Sequence, residues 1–441
     1  MAMEYRVRDA EGDRLQKLIE AELAVDETEA RVEEIYAFLA MQMGLDYVAN
    51  QPKDALKKRV GADLDERVGS CLANQLADEV IKREGLAATL EPVVESASGT
   101  EPGEAFSCTV RIYLKPELEL SSYDPVTLPL SDPEITEDMV DRALATLVDE
   151  RARLVADEDA QEVGESSICR ISMSTTKFGM RVAALSAENM TYQIGQGTLP
   201  PEIERELLGM KPGEEKSFSV TITSKNFLGL EVEEPMECTC SVKQILKKET
   251  PEVTDEWVRE RIPGAYDVAS FREMVRQNLE DRAQANFARV RDEACAVALA
   301  ARLPEELDLP EVHYEYARAG LLQNVSAALS REAMAKEDLF AAQGVSESQF
   351  MLQMRTRAAA ILRQGLALDA LARHEGLALE PADISRALRS ISQGDEGQTM
   401  KMLEMNGRTY QLREAALRAK ARTLLAERAV CTGEPQDSLS S

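Results

Sequence analysis

Three observations in this sequence predict a multidomain α+β protein. Its 441 residues amount to about three domains at roughly 150 residues each. Strand signals concentrate in 161–249, whereas from 250 onward the apolar spacing is helical. Aromatic residues make up only 5% of the chain against 44% hydrophobic residues. Leucine, alanine, valine and methionine supply most of the latter, which suits helices with aliphatic cores.

In the first segment, 1–118, "DETEARVEEIYAFLAMQM" has helical periodicity, with Asp26 and Glu29 spaced as a helix-start pair. "PKDALKKRVGADLDERVGSCLANQLADEVIKREG" reads as two helices ended by Gly85. "AFSCTVRIYLKPELEL" alternates like a half-buried strand. A connector, 119–158, opens Pro-rich and then starts a helix with Thr136 as N-cap, charged on most faces. In 159–249, "SICRISMSTT", "MTYQIGQG", "EKSFSVTIT" and "MECTCSVKQIL" are expected strands. "EIERELLGM" is one short helix closed by Gly209, and Pro212-Gly213 is a turn. This middle segment is expected to be a twisted sheet wrapped on one helix. In 250–430, Ser270 with Glu273 and Ser346 with Gln349 form expected capping boxes ahead of long helices. Further helices are read in "PADISRALRSI", "TMKMLEM" and "QLREAALRAKARTLLAERAV", and 431–441 is expected to be a disordered tail.

The net charge of −28 opposes contact with phosphate backbones, so no direct nucleic-acid partner is expected. The start is charged, so no signal peptide is expected, and no run approaches the roughly 18 apolar residues of a membrane span. A cytoplasmic protein without a membrane partner is expected. The seven cysteines are scattered without a CxxC pair; buried free thiols are expected, and neither a disulfide framework nor a metal site. The two histidines, His313 and His374, are expected to be surface or half-buried residues, without a histidine-based catalytic site. No P-loop is present, and no cofactor is expected.

The stretch "IGQGTLPPEIERELLGMKPGEEKSFSVTI" contains neither nucleophile nor histidine. It resembles the signature of FKBP-type prolyl isomerases in the version carried by trigger factors, most closely over "LLGMKPGEEKSFSV". "DALKKRVGADLDERV", "VIKREGL" and "GEAFSCTVRIYLKPELEL" resemble the N-terminal domain of that family. "SDPEITEDMVDRALATL" resembles its linker. "RLPEELDLPEVHYEYA", "ALARHEGLALEPADISRAL" and "REAALRAKARTLLAERAV" resemble its helical C-terminal domain. The resemblance implies an N-terminal ribosome-binding-type domain at 1–118, a linker arm at 119–158, an FKBP-type module at 159–249 and a chaperone domain at 250–430. Its partners would be nascent or unfolded polypeptides. Prolyl isomerisation needs no nucleophile: its barrier, about 20 kcal/mol, is lost amide resonance, which an apolar groove lowers by holding the twisted imide.

The chain departs from the family at its groove. Ser172 and Met173 stand where the family has an acid and a phenylalanine; Ile203 replaces an aromatic floor and Cys238 a phenylalanine. Leu199 completes the groove, and Phe227 lies one position from the family's tyrosine. Two readings stay open: a scaffold with little isomerase activity, or a repacked groove that still catalyses. The family's basic ribosome-docking loop aligns with "MGLDYVANQP", where Gly44 and Pro52 remain but Asp46 stands about where arginine is usual. Docking by the usual loop is not expected; Leu45, Tyr47 and Val48 offer an apolar contact there, against the plainer reading of a folded loop. Client binding is expected at Met351, Met354, Met400, Met402 and Met405, because methionine adapts to unlike apolar partners. The alternatives are an active isomerase and a ribosome-independent assembly scaffold.

Overall fold

The computed structural model describes residues 3–45, 54–61, 63–225, 231–332, 334–392 and 394–433. By packing, the chain divides into Met1–Asp132 with Asn286–Ser441, and Pro133–Ala285.

The first unit starts with a four-stranded antiparallel sheet in the order β1-β2-β4-β3, formed by β1 (Glu4–Asp9), β2 (Gln16–Leu23), β3 (Val93–Ser98) and β4 (Phe106–Tyr113). β4 is the alternating strand read from the sequence: Phe106, Cys108, Val110 and Ile112 are buried, and the residues between them are half-exposed. The sheet packs on α1 (Val25–Gln42) and α3 (Leu64–Glu84), with α2 (Asp54–Val60) between them in sequence. Gly85 ends α3 at φ 62°, a left-handed cap that suits glycine. The expected start of α1 is corrected: Ala24 is the N-cap with no side-chain bond, so Asp26 is a first-turn acid, Glu29 lies a turn into the helix, and the two form no cap. β1, β2 and β3 were not singled out in the sequence.

In the second unit, Thr136 caps α4 (Glu137–Asp149) by accepting from the Met139 amide. The expectation of a helix charged on most faces is also corrected. Val140 and Val148 are buried in a core with Val258, Ile262, Phe271 and Val275. That core is shared by α6 (Asp255–Arg261) and the first turns of α7 (Val268–Ala300). The expected strands appear as β7 (Ile168–Lys177), β9 (Ala187–Gln193), β10 (Glu215–Lys225) and β11 (Glu231–Glu249). They are joined by β6 (Arg153–Ala156) and β8 (Met180–Arg181) in one antiparallel sheet. Ile203 and Leu207 of α5 (Pro201–Leu207) plug that sheet. Gly209 and Gly213, at φ 77° and 85°, make the two turns after α5. Their backbone demands, not chemistry, account for the specific look of the stretch. α7 starts earlier than expected: the Asp267 carboxylate accepts from the Ser270 amide at 2.7 Å, so Asp267 and not a Ser270–Glu273 box caps it.

The division between the units falls within α7, whose later turns belong with α8 (Glu311–Arg331), α9 (Lys336–Gln343), α10 (Glu347–His374), α11 (Pro381–Ile391), α12 (Glu396–Met405) and α13 (Thr409–Arg428). Ser346 and Gln349 form the expected capping box of α10. The α12–α13 corner seats on α3. Asp78 accepts from the Thr409 hydroxyl at 2.5 Å and from the Tyr410 amide at 2.9 Å, and Gln75 donates to the Met405 carbonyl at 3.1 Å. A two-stranded parallel pair joins β5 (Thr127–Leu128) to β12 (Val430–Cys431). Residues 431–433 are therefore not part of a structureless tail: the Thr432 and Gly433 amides donate to Leu128 and Leu130. Residues 434–441 lie outside the described residues.

Candidate functional site

The methionines expected to bind clients separate into exposed and packed. Met351 and Met402 are exposed, whereas Met354 and Met405 are buried and Met400 packs against the core of α11 and α13. The exposed apolar surface of the helical region is wider than the methionines. Leu352 is 65% exposed and Ile361 45%, both on α10. Val297 is 52% exposed on α7, and Val290, seven residues earlier, is also exposed; two helical turns put both on one stripe. Tyr316 of α8, which packs on α10, is exposed too. These residues escaped the sequence reading because their helices are apolar at scattered positions; the seven-residue repeat of Val290 and Val297 was the available signal.

The groove residues of the second unit fall on two faces of its sheet. Met173, Leu199, Ile203 and Cys238 lie in one core at 0–6% exposure. The Cys238 sulfur sits 3.4 Å from the Thr175 hydroxyl. Strand alternation turns Ser172 to the other face, where its hydroxyl accepts from the Asn189 amide at 3.1 Å. Ser172 and Met173 line a shallow cavity of 280 Å³ with Arg181 and Glu188. Phe227 lies outside the described residues. The Tyr192 hydroxyl donates to Glu204, which also accepts from the Gly195 amide at 3.3 Å, so the glycine turn is tied to α5. Burial, and then that carboxylate, push the Tyr192 hydroxyl above its usual range.

At the expected ribosome loop, Gly44 has φ 64° and Leu45 is half-buried against the first core, its amide donating to the Ala40 carbonyl. Asp46, Tyr47, Val48 and Pro52 lie outside the described residues.

Five cysteines are buried, Cys71 is half-buried and Cys431 is exposed, all as free thiols. Burial raises the Cys108 and Cys169 thiols to about 11 and Cys240 to about 12. His313 is neither at the surface nor half-buried as expected: it is 2% exposed, and burial lowers its pKa. No helix among the described residues is long and apolar enough to cross a membrane.

Helices with exposed apolar side chains, beside sheets packed on helices, make this a multi-unit α+β protein. Two family models, both of the bacterial trigger factor protein, match it: the N-terminal one over residues 3–147 and the C-terminal one over 267–427. The chain belongs to the trigger factor family. It is 26% identical over 309 residues to the trigger factor of Geobacillus sp. (strain WCH70), covering 70% of this chain and 71% of that protein. It is 22% identical over 389 residues to the trigger factor of Agathobacter rectalis, covering 88% and 87%. A solved structure described as "Promiscuous Substrate Recognition in Folding and Assembly Activities of the Trigger Factor Chaperone" aligns with a TM-score of 0.43 at 17% identity, over 96% of this chain and 99% of that one.

Proposed function

We propose that this protein is an ATP-independent cytoplasmic chaperone that holds nascent or unfolded polypeptides on the helices of 250–430. The single observation that carries the reading is the exposed set Val290, Val297, Tyr316, Met351, Leu352 and Ile361. Large apolar groups left in water on long folded helices have no role in the fold's own core, and they offer adaptable contacts to unlike sequences. The segments 1–118, 119–158 and 159–249 take the roles of ribosome-binding-type domain, arm and isomerase-like module. The test is suppression of aggregation of a denatured model protein by the full chain. Leu352→Glu with Ile361→Glu is expected to lose most of the protection while the chain stays folded; undiminished protection overturns the reading.

The isomerase module is read as degenerate. Support comes from the thioether, aliphatic and thiol side chains of Met173, Ile203 and Cys238, which fill positions where the family has aromatic groups. Without those walls, selection for the twisted imide is weak. Turnover of a proline peptide matching that of the Geobacillus relative refutes this. Ribosome docking is read as weak for want of a basic loop; co-sedimentation at low salt that is unchanged by adding lysines at Asp46 and Tyr47 refutes that.

A further inference from the structure

The stretch 118–130, where the arm begins, lies in the same unit as the helices beyond Asn286 and is fastened to their ends. Arg302, just past α7, donates to the Ser122 carbonyl at 3.1 Å and to the Asp124 carbonyl at 2.5 Å, and its own carbonyl accepts from the Ser121 amide at 2.9 Å. Arg373, in the last turn of α10, donates to the Leu118 carbonyl and to the Glu119 carboxylate, the latter at 3.1 Å. His374, the next residue, stacks on Tyr123: the ring centroids are 3.7 Å apart and the planes 5° from parallel. The Tyr123 hydroxyl in turn donates to Glu119 at 2.6 Å. Phenol ring, carboxylate and imidazole thus form one cluster.

We propose that this cluster is a proton-operated clamp: a charged His374 fastens 118–130 to the helices, and a neutral His374 lets the stretch come away more often. Imidazole is the side chain that changes charge between about pH 5 and 8. The groups around it divide into those that leave with the arm and those that stay. Glu375, just past α10, pairs with Arg428 of α13 at 2.8 Å; these two, with Arg302 and Arg373, stand on the helical side whether the arm is docked or not. Only groups that differ between the two states can shift their balance. Those are the Tyr123 ring and the Glu119 carboxylate. An imidazolium gains from both, from the negative face of the ring and from the opposite charge. The Glu119 carboxyl is held below its usual range chiefly by the Tyr123 hydroxyl, then by Arg373, and in smaller part by His374. Asp124, the other carboxylate of the stretch, accepts from the Ser122 hydroxyl at 2.7 Å. Undocking also strips Arg373 of its carboxylate and leaves it uncompensated beside the imidazolium. The docked form therefore holds the His374 proton better, and by reciprocity the proton strengthens docking. The hold rises as pH falls through the histidine range and stops rising where Glu119 takes up a proton itself. It decides whether 118–130 is fixed chain or free linker.

The test is hydrogen exchange in the full chain, because docking itself protects particular amides. Ser121 donates to Arg302, and Val430 and Thr432 donate to Val126 and Leu128 of the docked stretch. Protection of these amides, corrected for the pH dependence of exchange itself, is expected to rise about two- to fivefold between about pH 8 and 5.5, the range of an exposed cation on a ring. His374 is exposed, so His374→Gln keeps the fold and is expected to make protection independent of pH over that interval. Tyr123→Leu keeps an apolar group at this position and is expected to reduce the slope. Burial of His313 acts on the whole fold with the opposite sign, so a general gain in stability cannot imitate the result. Protection that stays level in the unaltered chain, or a slope that survives His374→Gln, overturns the proposal. So does a Tyr123→Leu variant that loses protection equally at every pH with its slope intact, which would make the stack a packing contact blind to charge.

Discussion

Phe178 stands at φ 48° on the β7–β8 turn, 80% exposed, with Gly179 beside it at 75°. A bulky residue in the left-handed region costs about 1 kcal/mol or more, and here no burial offsets it. Phe178→Gly is therefore expected to raise stability by about 1 kcal/mol, read by urea unfolding; a loss would show that the ring makes a contact the fold needs. His313 sets a pH dependence. Its folded pKa is lowered by burial, so below the unfolded value of about 6.5 the unfolded chain takes up the proton more readily. Stability is complete above that value and falls as pH drops beneath it. His313→Gln is expected to flatten the slope below about pH 6.5; an unchanged slope would assign the dependence to other groups. Gly407, at φ 62°, has the Asn74 carbonyl oxygen 2.1 Å from where a Cβ would stand. A methyl there clashes with backbone and would lift the α12–α13 corner off α3.

At the scale of elements, the helices of 250–430 were legible because their signals are local. The Ser346–Gln349 box closes within one turn, and Ser346→Ala is expected to cost about 1 kcal/mol in urea unfolding; no change would mean the helix end is held by packing instead. The Asp26–Glu29 spacing is the same kind of signal but failed, since the chain enters α1 straight from β2 and Ala24 falls at the boundary. Likewise Asp267, three residues before the expected box, reaches its amide first. β1 and β3 are sheet edges with mostly exposed side chains, so they carry little apolar alternation for a reader to find. Met173, Leu199, Ile203 and Cys238 share one core, but strand alternation separates Ser172 from Met173.

For the whole molecule, the ties that hold Met1–Asp132 to Asn286–Ser441 join residues far apart in sequence. Lys115, after β4, pairs with Asp369 at 3.1 Å and Glu414 at 3.0 Å, and Arg418 grips Asp369 through two donors at 3.0 and 2.6 Å. These groups are mostly buried, so removing one partner leaves another charge without compensation. Asp369→Asn is expected to cost about 3 kcal/mol in unfolding free energy, whereas a loss below about 1 kcal/mol would mean water reaches the cluster and screens it. The β5–β12 pair adds a further tie between the arm and the end of α13. During synthesis this discontinuity becomes a delay. When Asp132 has emerged, roughly 300 residues remain to be made before Cys431 can pair with Leu128, about 15–60 s at ordinary translation rates. Leu120, Val126 and Leu128 gain the helices that bury them one at a time, α7 first, then α10 and last α13. Until those helices arrive, the arm of the nascent protein carries the kind of bare apolar surface that its finished form is proposed to hold.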